Sequence, residues 1–205
     1  MAERYQRQHA LSHLALEARA AAAARRDGAV RLWLQPDSVQ LCLRGDAGGA
    51  FAAAVQSVLG VVPPTMPGTA ACAGATRILW LGPDEWLAVS ESGEPGALIA
   101  DLERALAGGH ALVSDVSHSR CILGLAGPCA RQVLMKGCGL DLDPVVFAAG
   151  QCAQSALARA HMLLHQTSDA PSYHLYTHRS FADYVFRWLE DAASEYGLVP
   201  CAAAP

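Results

Sequence analysis

The sequence predicts a duplicated α+β fold: two α+β units with antiparallel or mixed sheets and flanking helices. Three observations carry this reading. Residues 39–60 (VQLCLRGDAGGAFAAAVQSVLG) and 120–140 (RCILGLAGPCARQVLMKGCGL) share one order: apolar strand-like run, glycine, amphipathic helical run, glycine. Gly45 and Gly127 stand 82 positions apart, and the starts of the next helical runs, Pro95 and Phe181, stand 86 apart. In both halves a two-strand pattern precedes that second helical run. Two copies at so long a spacing do not make a solenoid, and they read as one supersecondary unit present twice.

The elements follow in order from local pattern. Residues 9–27 have helical composition, with Leu11, Leu14 and an alanine run, and Gly28 stands where a helix stops. Alternating segments at 30–35 and 39–43 are separated by Pro36 and Asp37. A helix over 49–59 ends at Gly60. The stretch 61–75, rich in Pro, Gly and Thr, reads as a loop and as the most mobile part of the chain. Strands at 77–81 and 86–90 flank the turn residues Gly82-Pro83-Asp84-Glu85. A helix over 95–107 has Pro95 at its first position and stops at Gly108-Gly109.

The second half repeats the pattern. Strands at 111–116 and 120–125 lead to a helix at 128–137, then strands at 152–159, 161–165 and 172–177 and a helix at 181–195. Ser180 and Asp183 are the expected caps of that last helix. Phe181, Tyr184, Val185, Trp188, Leu189 and Ala192 form its expected apolar stripe. The domain reading is therefore 1–28 as a helical, partner-docking segment, 29–110 and 111–197 as the two repeats, and 198–205 as a flexible tail. The docking role rests on the marginal stability of short isolated helices in water.

Composition narrows the function classes. Hydrophobic residues make up 52% and charged residues 17% of the chain, against about 25% charged in an average soluble domain, which excludes charge-driven disorder. Part of so weakly charged a surface suits coverage by another protein, although the 40 alanines tolerate either environment. A net charge of -4 gives no basic footprint for nucleic acid or anionic membrane. No run reaches the ~18 apolar residues of a spanning helix, and Glu3, Glu17 and Arg19 interrupt any signal-peptide core. Seven cysteines without a C-x-x-C pattern, most inside apolar runs, read as reduced core thiols and place the chain in the cytoplasm.

Candidate chemistry is sparse. The dinucleotide, P-loop, zinc-protease and nucleophile-elbow motifs are missing. His161 and His165, four apart in a strand, lie about 13 Å apart at ~3.3 Å per residue, too far to share a metal. Ser114, Asp115, Ser117 and His118 crowd into one segment, where a tight bend explains them better than a catalytic triad assembled from separate segments. Cys138 beside Lys136 is a candidate low-pKa thiol, opposed by the helix C-terminus at which it falls. Asp84, Glu85 and Trp86 are the most distinctive run. They suit either a pocket for a cationic amine or pterin, or a turn shaped by Pro83-Asp84 with Trp86 packed inward.

Several runs resemble one family: LRG (43–45), LWLGPDEWL (79–87), DVSHSR (115–120), LAGPCARQVLMKGCGLDL (125–142), CAQSALARAHMLLHQ (152–166) and SYHLYTHRSFADYVFRWLEDAA (172–193). With LSHLAL (11–16), they resemble the gamma subunit of heterotetrameric sarcosine oxidase, in order, from about residue 9 to 197. The resemblance implies an aminomethyltransferase-like (glycine-cleavage T-protein) fold. It implies an accessory chain with no catalytic, cofactor or metal residue of its own, in a complex that oxidatively demethylates sarcosine to glycine. It further implies alpha, beta and delta partners, contact chiefly with alpha, and NAD, FAD, FMN, zinc and tetrahydrofolate held by those partners. Two alternatives stay open: a free-standing folate-dependent one-carbon transferase of the T-protein fold, and the equivalent subunit of a related N-methyl amino acid oxidase or dehydrogenase.

Overall fold

A computed structural model describes residues 8–23 and 28–203 of the chain. The first half runs α1 (Leu16–Ala23), β1 (Val30–Leu34), β2 (Val39–Gly45), α2 (Gly49–Leu59), β3 (Ala70–Ala73), β4 (Thr76–Gly82), β5 (Glu85–Ser90) and α3 (Pro95–Ala105). The second runs β6 (Ala111–Asp115), β7 (Arg120–Ala126), α4 (Ala130–Met135), β8 (Cys152–Leu157), β9 (Ala160–Ser168), β10 (Ser172–His178), α5 (Ala182–Ala193) and β11 (Leu198–Pro200).

Two sheets result, ordered β3-β4-β5-β2-β6 and β8-β9-β10-β7-β1-β11. The order is the same in both, with β2 matched by β7 and β3-β4-β5 by β8-β9-β10, so the α+β unit is duplicated. The lead-in strands are exchanged: β1 pairs antiparallel with β7, and β6 pairs antiparallel with β2. The sheets therefore do not follow the division at 110/111, because each half lends one strand to the other's sheet.

Four layers stack. Phe51, Val55, Leu59 and Leu102 from α2 and α3 cover Leu41, Leu43, Ile78, Trp86 and Ala88 on one sheet. Val133, Leu134, Val185, Phe186 and Leu189 from α4 and α5 cover Leu32, Leu123, Leu125, Leu164 and Leu175 on the other. Leu79, Leu87, Val89, Ile122, Leu163 and Tyr176 fill the space between the sheets. Strands buried on both faces explain the near-continuous apolar runs. Each large side chain so buried contributes about 1.5–3 kcal/mol.

Several expectations are corrected. The helix expected over 9–27 begins at Leu16, after a 3-10 turn at Ser12–Leu14 and Ala15 at φ 46°, and residues 24–27 lie outside the described residues. Leu11 is buried in the second core and Arg19 pairs with Glu190 on α5, so the described part of this segment packs on the chain itself. The stretch 61–75 is not a featureless loop. It holds β3, paired with β4, and is tied down where the Trp86 Nε1–H donates to the Pro64 carbonyl at 2.7 Å. The tail 198–205 contains β11, parallel to β1, with the Cys201 N–H donating to the Leu32 carbonyl at 2.8 Å; residues 204–205 lie outside the described residues.

Ser180 and Asp183 do not cap α5. No side chain does, and the Asp183 carboxylate accepts from His13 and Arg187 instead. The buried stripe of α5 is Ala182, Val185, Phe186, Leu189, Ala192 and Ala193. It is turned one residue from the expected face, which leaves Phe181 and Tyr184 exposed. All seven cysteines are free.

Candidate functional site

The β4–β5 hairpin holds the run singled out in the sequence. Pro83 and Asp84 are exposed at its tip, and the Asp84 carbonyl accepts from the Gly45 N–H at 3.1 Å, tying the turn to β2. Glu85 faces Arg44 at 3.3 Å, and the Cys42 thiol donates to the same carboxylate at 3.5 Å. Trp86 is fully buried, stacked on Phe51 with ring centroids 5.2 Å apart. Phe51 covers one face of the indole and Pro64 takes its N–H, so the Trp86 ring is a packing element and not a platform for a bound amine or pterin. Asp84 lines a hollow of about 360 Å³ with Arg44, Gly45, His110, Ala111 and Leu112.

The SDVSHSR segment is a tight turn between β6 and β7. Asp115 Oδ1 accepts from the Ser117 N–H at 2.9 Å and from its hydroxyl at 2.5 Å, and the Ser119 N–H donates to the Val116 carbonyl at 2.9 Å. The Ser117 hydroxyl is thus bound to the carboxylate that closes the bend, not to an imidazole. Gly45 is equally structural, since a Cβ there would lie 2.5 Å from the Phe51 ring. The N-terminus of α2 is supplied internally, with Asp46 Oδ1 accepting from the Gly48 N–H at 3.1 Å. Lys136 does not act on Cys138: its ammonium donates to the Ala192 carbonyl, pairs with Glu195 and lies 4.7 Å from the Tyr196 ring centroid.

A further polar assembly was not singled out in the sequence. Between the sheets, Arg77 is 9% exposed and donates to the Tyr176 hydroxyl at 2.8 Å and to Glu91 at 2.8 Å. His174 packs its ring edge-on to His165, centroids 6.2 Å apart, and its Nε2 accepts from the Gln35 amide at 2.7 Å. Burial, with Arg77 adding to it, pushes His165 down to about 4 and His174 down to about 3, so both are neutral at pH 7. Burial raises the Tyr176 hydroxyl to about 12 against the opposing pull of Arg77.

Little in the sequence marks this assembly: Arg77 and His165 flank the apolar runs ILWL and MLL, and only His174 and Tyr176, two apart, share one face of a strand by period two. His165 belongs to this layer while His161, four residues away on β9, is exposed. Burial also raises the thiols of Cys42, Cys72, Cys121, Cys201 and, to about 11, Cys152, which keeps them protonated and weakly nucleophilic. Among the described residues no three His, Cys, Asp or Glu side chains are grouped to hold a metal ion, and no helix is long and apolar enough to cross a membrane.

Comparison with known proteins gives this arrangement a context. The family described as sarcosine oxidase, gamma subunit, matches residues 44–195. The chain belongs to the sarcosine oxidase gamma subunit family. The family's match takes in the β4–β5 hairpin and, apart from Gln35, every residue of the polar layer. The gamma subunit of sarcosine oxidase from an Arthrobacter species is 36% identical over 170 residues, 82% of each chain. A chain of the heterotetrameric sarcosine oxidase from Corynebacterium sp. U-96, solved with pyrrole 2-carboxylate, superposes with a TM-score of 0.82 at 34% identity, covering 97% of this chain and 98% of that one. The gamma-family fold is shared more widely. The glycine cleavage aminomethyltransferase T of Bartonella henselae superposes with a TM-score of 0.62 at 14% identity, over 90% of this chain and 50% of that one.

Proposed function

We propose that this chain is the accessory gamma subunit of a heterotetrameric sarcosine oxidase, the complex that oxidatively demethylates sarcosine to glycine, and that it contributes assembly and not chemistry. One observation carries the reading: end-to-end similarity, at 34% identity, to a chain of such a heterotetramer. The site geometry supports it. Arg77 is neutralised by Glu91, the buried histidines are neutral, and Ser117 is bound to the acid of its own turn. Flavin chemistry needs a cofactor held and tuned by protein groups, and we assign those groups to the partners.

In this reading the alpha, beta and delta subunits carry NAD, FAD, FMN, zinc and tetrahydrofolate, and gamma meets chiefly alpha. The complex is cytoplasmic, where seven free thiols persist. A stable interface of this kind removes about 800 Å² per side. Co-expression with the flavin and zinc subunits is the test. It is expected to give a yellow complex containing this chain, and Asp84→Ala or Glu85→Ala is expected to change assembly more than turnover per assembled flavin. Stoichiometric tetrahydrofolate binding or methyl transfer by the chain alone would replace this reading with a lone one-carbon transferase.

A further inference from the structure

Edge strands with unpaired amides recruit other strands unless the fold protects them. Four strands end the two sheets here: β3, β6, β8 and β11. The fold closes three of them. β3 and β8 meet where Thr69 bridges Gln151, with the Ala70 N–H donating to the Gly150 carbonyl and the Cys152 N–H to the Gly68 carbonyl, each at 2.8 Å. The far end of β8 is held by a bridge between Leu157 and Cys138. β11 is three residues long and ends in Pro200.

Among the described residues, β6 has none of these protections. It spans five residues, ALVSD, without Pro, Lys or Arg. The Val116 N–H donates to the Gln40 carbonyl at 2.8 Å, which fixes the alternation of the β2–β6 ladder. Leu112 and Ser114 turn their main-chain groups toward β2, and Ala111 and Val113 turn theirs outward. Leu112, beside these outward amides, is 54% exposed.

The internal duplication indicates what belongs at this edge. In the six-stranded sheet β1 occupies the place that β6 has in the other, and β11 lies parallel beside it, from Val30 against Leu198 to Leu32 against Pro200. Among the described residues no segment fills the equivalent place beside β6. We propose that an extended segment of another subunit pairs there, hydrogen-bonded to the main chain of Ala111 and Val113, with an apolar side chain over Leu112. The hollow lined by Arg44, Asp84 and His110 continues this edge and gives the incoming segment's side chains room. A second copy of the chain does not reproduce the arrangement. A two-fold axis between two β6 strands pairs them antiparallel, whereas β11 runs parallel to β1.

The inference rests on the assembly reading above, and the experiment separates the two. Amide hydrogen exchange is measured on the wild-type chain, free and in the co-expressed complex. The amides of Ala111 and Val113 are expected to slow by about 100-fold or more on assembly, as strand edges do when they become internal. Val113→Pro removes one outward donor without touching the β2 ladder. It is expected to weaken co-purification with the partners by about tenfold or more, and the wild-type exchange decides the matter if that variant does not fold. A complex that forms with these amides exchanging as in the free chain overturns the β6 proposal alone, as does protection that appears in the free chain on self-association. A chain that enters no complex overturns the assembly reading and this inference with it.

Discussion

A buried imidazole with no carboxylate beside it is held neutral by the fold, and here two of them share one layer with a buried guanidinium. His165 and His174 titrate at about 4 and 3 in the native chain and near 6.5 when exposed. Above pH 6.5 both states are neutral and stability is flat. Below it the unfolded chain binds protons that the native chain refuses, so stability falls as pH falls, by up to about 1.4 kcal/mol per pH unit for each histidine. The loss ends once pH passes below the native values. Urea midpoints are expected to be level from pH 7.5 to 6.5 and to drop between 6.5 and 5, a window in which carboxylates stay ionised. A level profile through that window would remove the buried histidines from the account. Trp86 makes a second prediction at this scale. Truncating it to Ala abolishes its Phe51 stacking and its hold on Pro64, with an expected cost of about 3–5 kcal/mol. Asp84→Ala, at an exposed tip, is expected to change the free chain's stability by less than about 0.5 kcal/mol. Chemical denaturation of both variants checks the contrast.

Among the elements, β11 shows how little local signal a structural strand needs. Three residues, one of them proline, pair with β1 and bury Val199 to 8% exposure. Truncation after Gly197 uncovers the β1 edge and is expected to cost about 2 kcal/mol, lowering Tm by roughly 4–8 °C for a chain of this size. An unchanged Tm would mean that β11 contributes nothing in solution. The helices α2 and α3 behave oppositely, because their limits are written locally. Pro95 opens α3, and Gly60, with φ 73°, closes α2 by donating its N–H to the Gln56 carbonyl. The helix α5 needed one correction of phase, from a stripe through Phe181 and Tyr184 to one through Ala182, Val185 and Phe186, because the strands beneath it decide which face is covered.

At the scale of the whole molecule, the exchange of β1 and β6 interlocks the halves. We propose 29–110 and 111–197 as the units of duplication, with boundaries in sequence that are not boundaries of folding. Made alone, 29–110 lacks β6 and 111–197 lacks β1 and β11 of its own sheet, and neither is expected to show a cooperative unfolding transition. Co-expressed, the two are expected to reconstitute one. A fragment that melts cooperatively alone would show that the exchanged strand is dispensable. Gly124 lies at this junction, beneath the Trp33 indole of the exchanged β1, where any Cβ would run into the ring.

The sequence by itself determined the kinds of element, most of their limits, the duplicated order and the resemblance to the gamma family. Turn glycines and apolar periods act within a few residues, so they can be read locally. Only the tertiary structure decided which strands pair and what lies between the sheets. AACA at β3 and LVP at β11 carry no period of their own, and they are strands because a distant backbone offers its amides. The same holds for His165, Arg77, His174 and Tyr176. Each stands in or beside a strand-like run, but burial is a property of the facing sheet. That sheet comes from residues as far as 99 positions away, as for Arg77 and Tyr176, a separation at which local sequence carries no physical constraint.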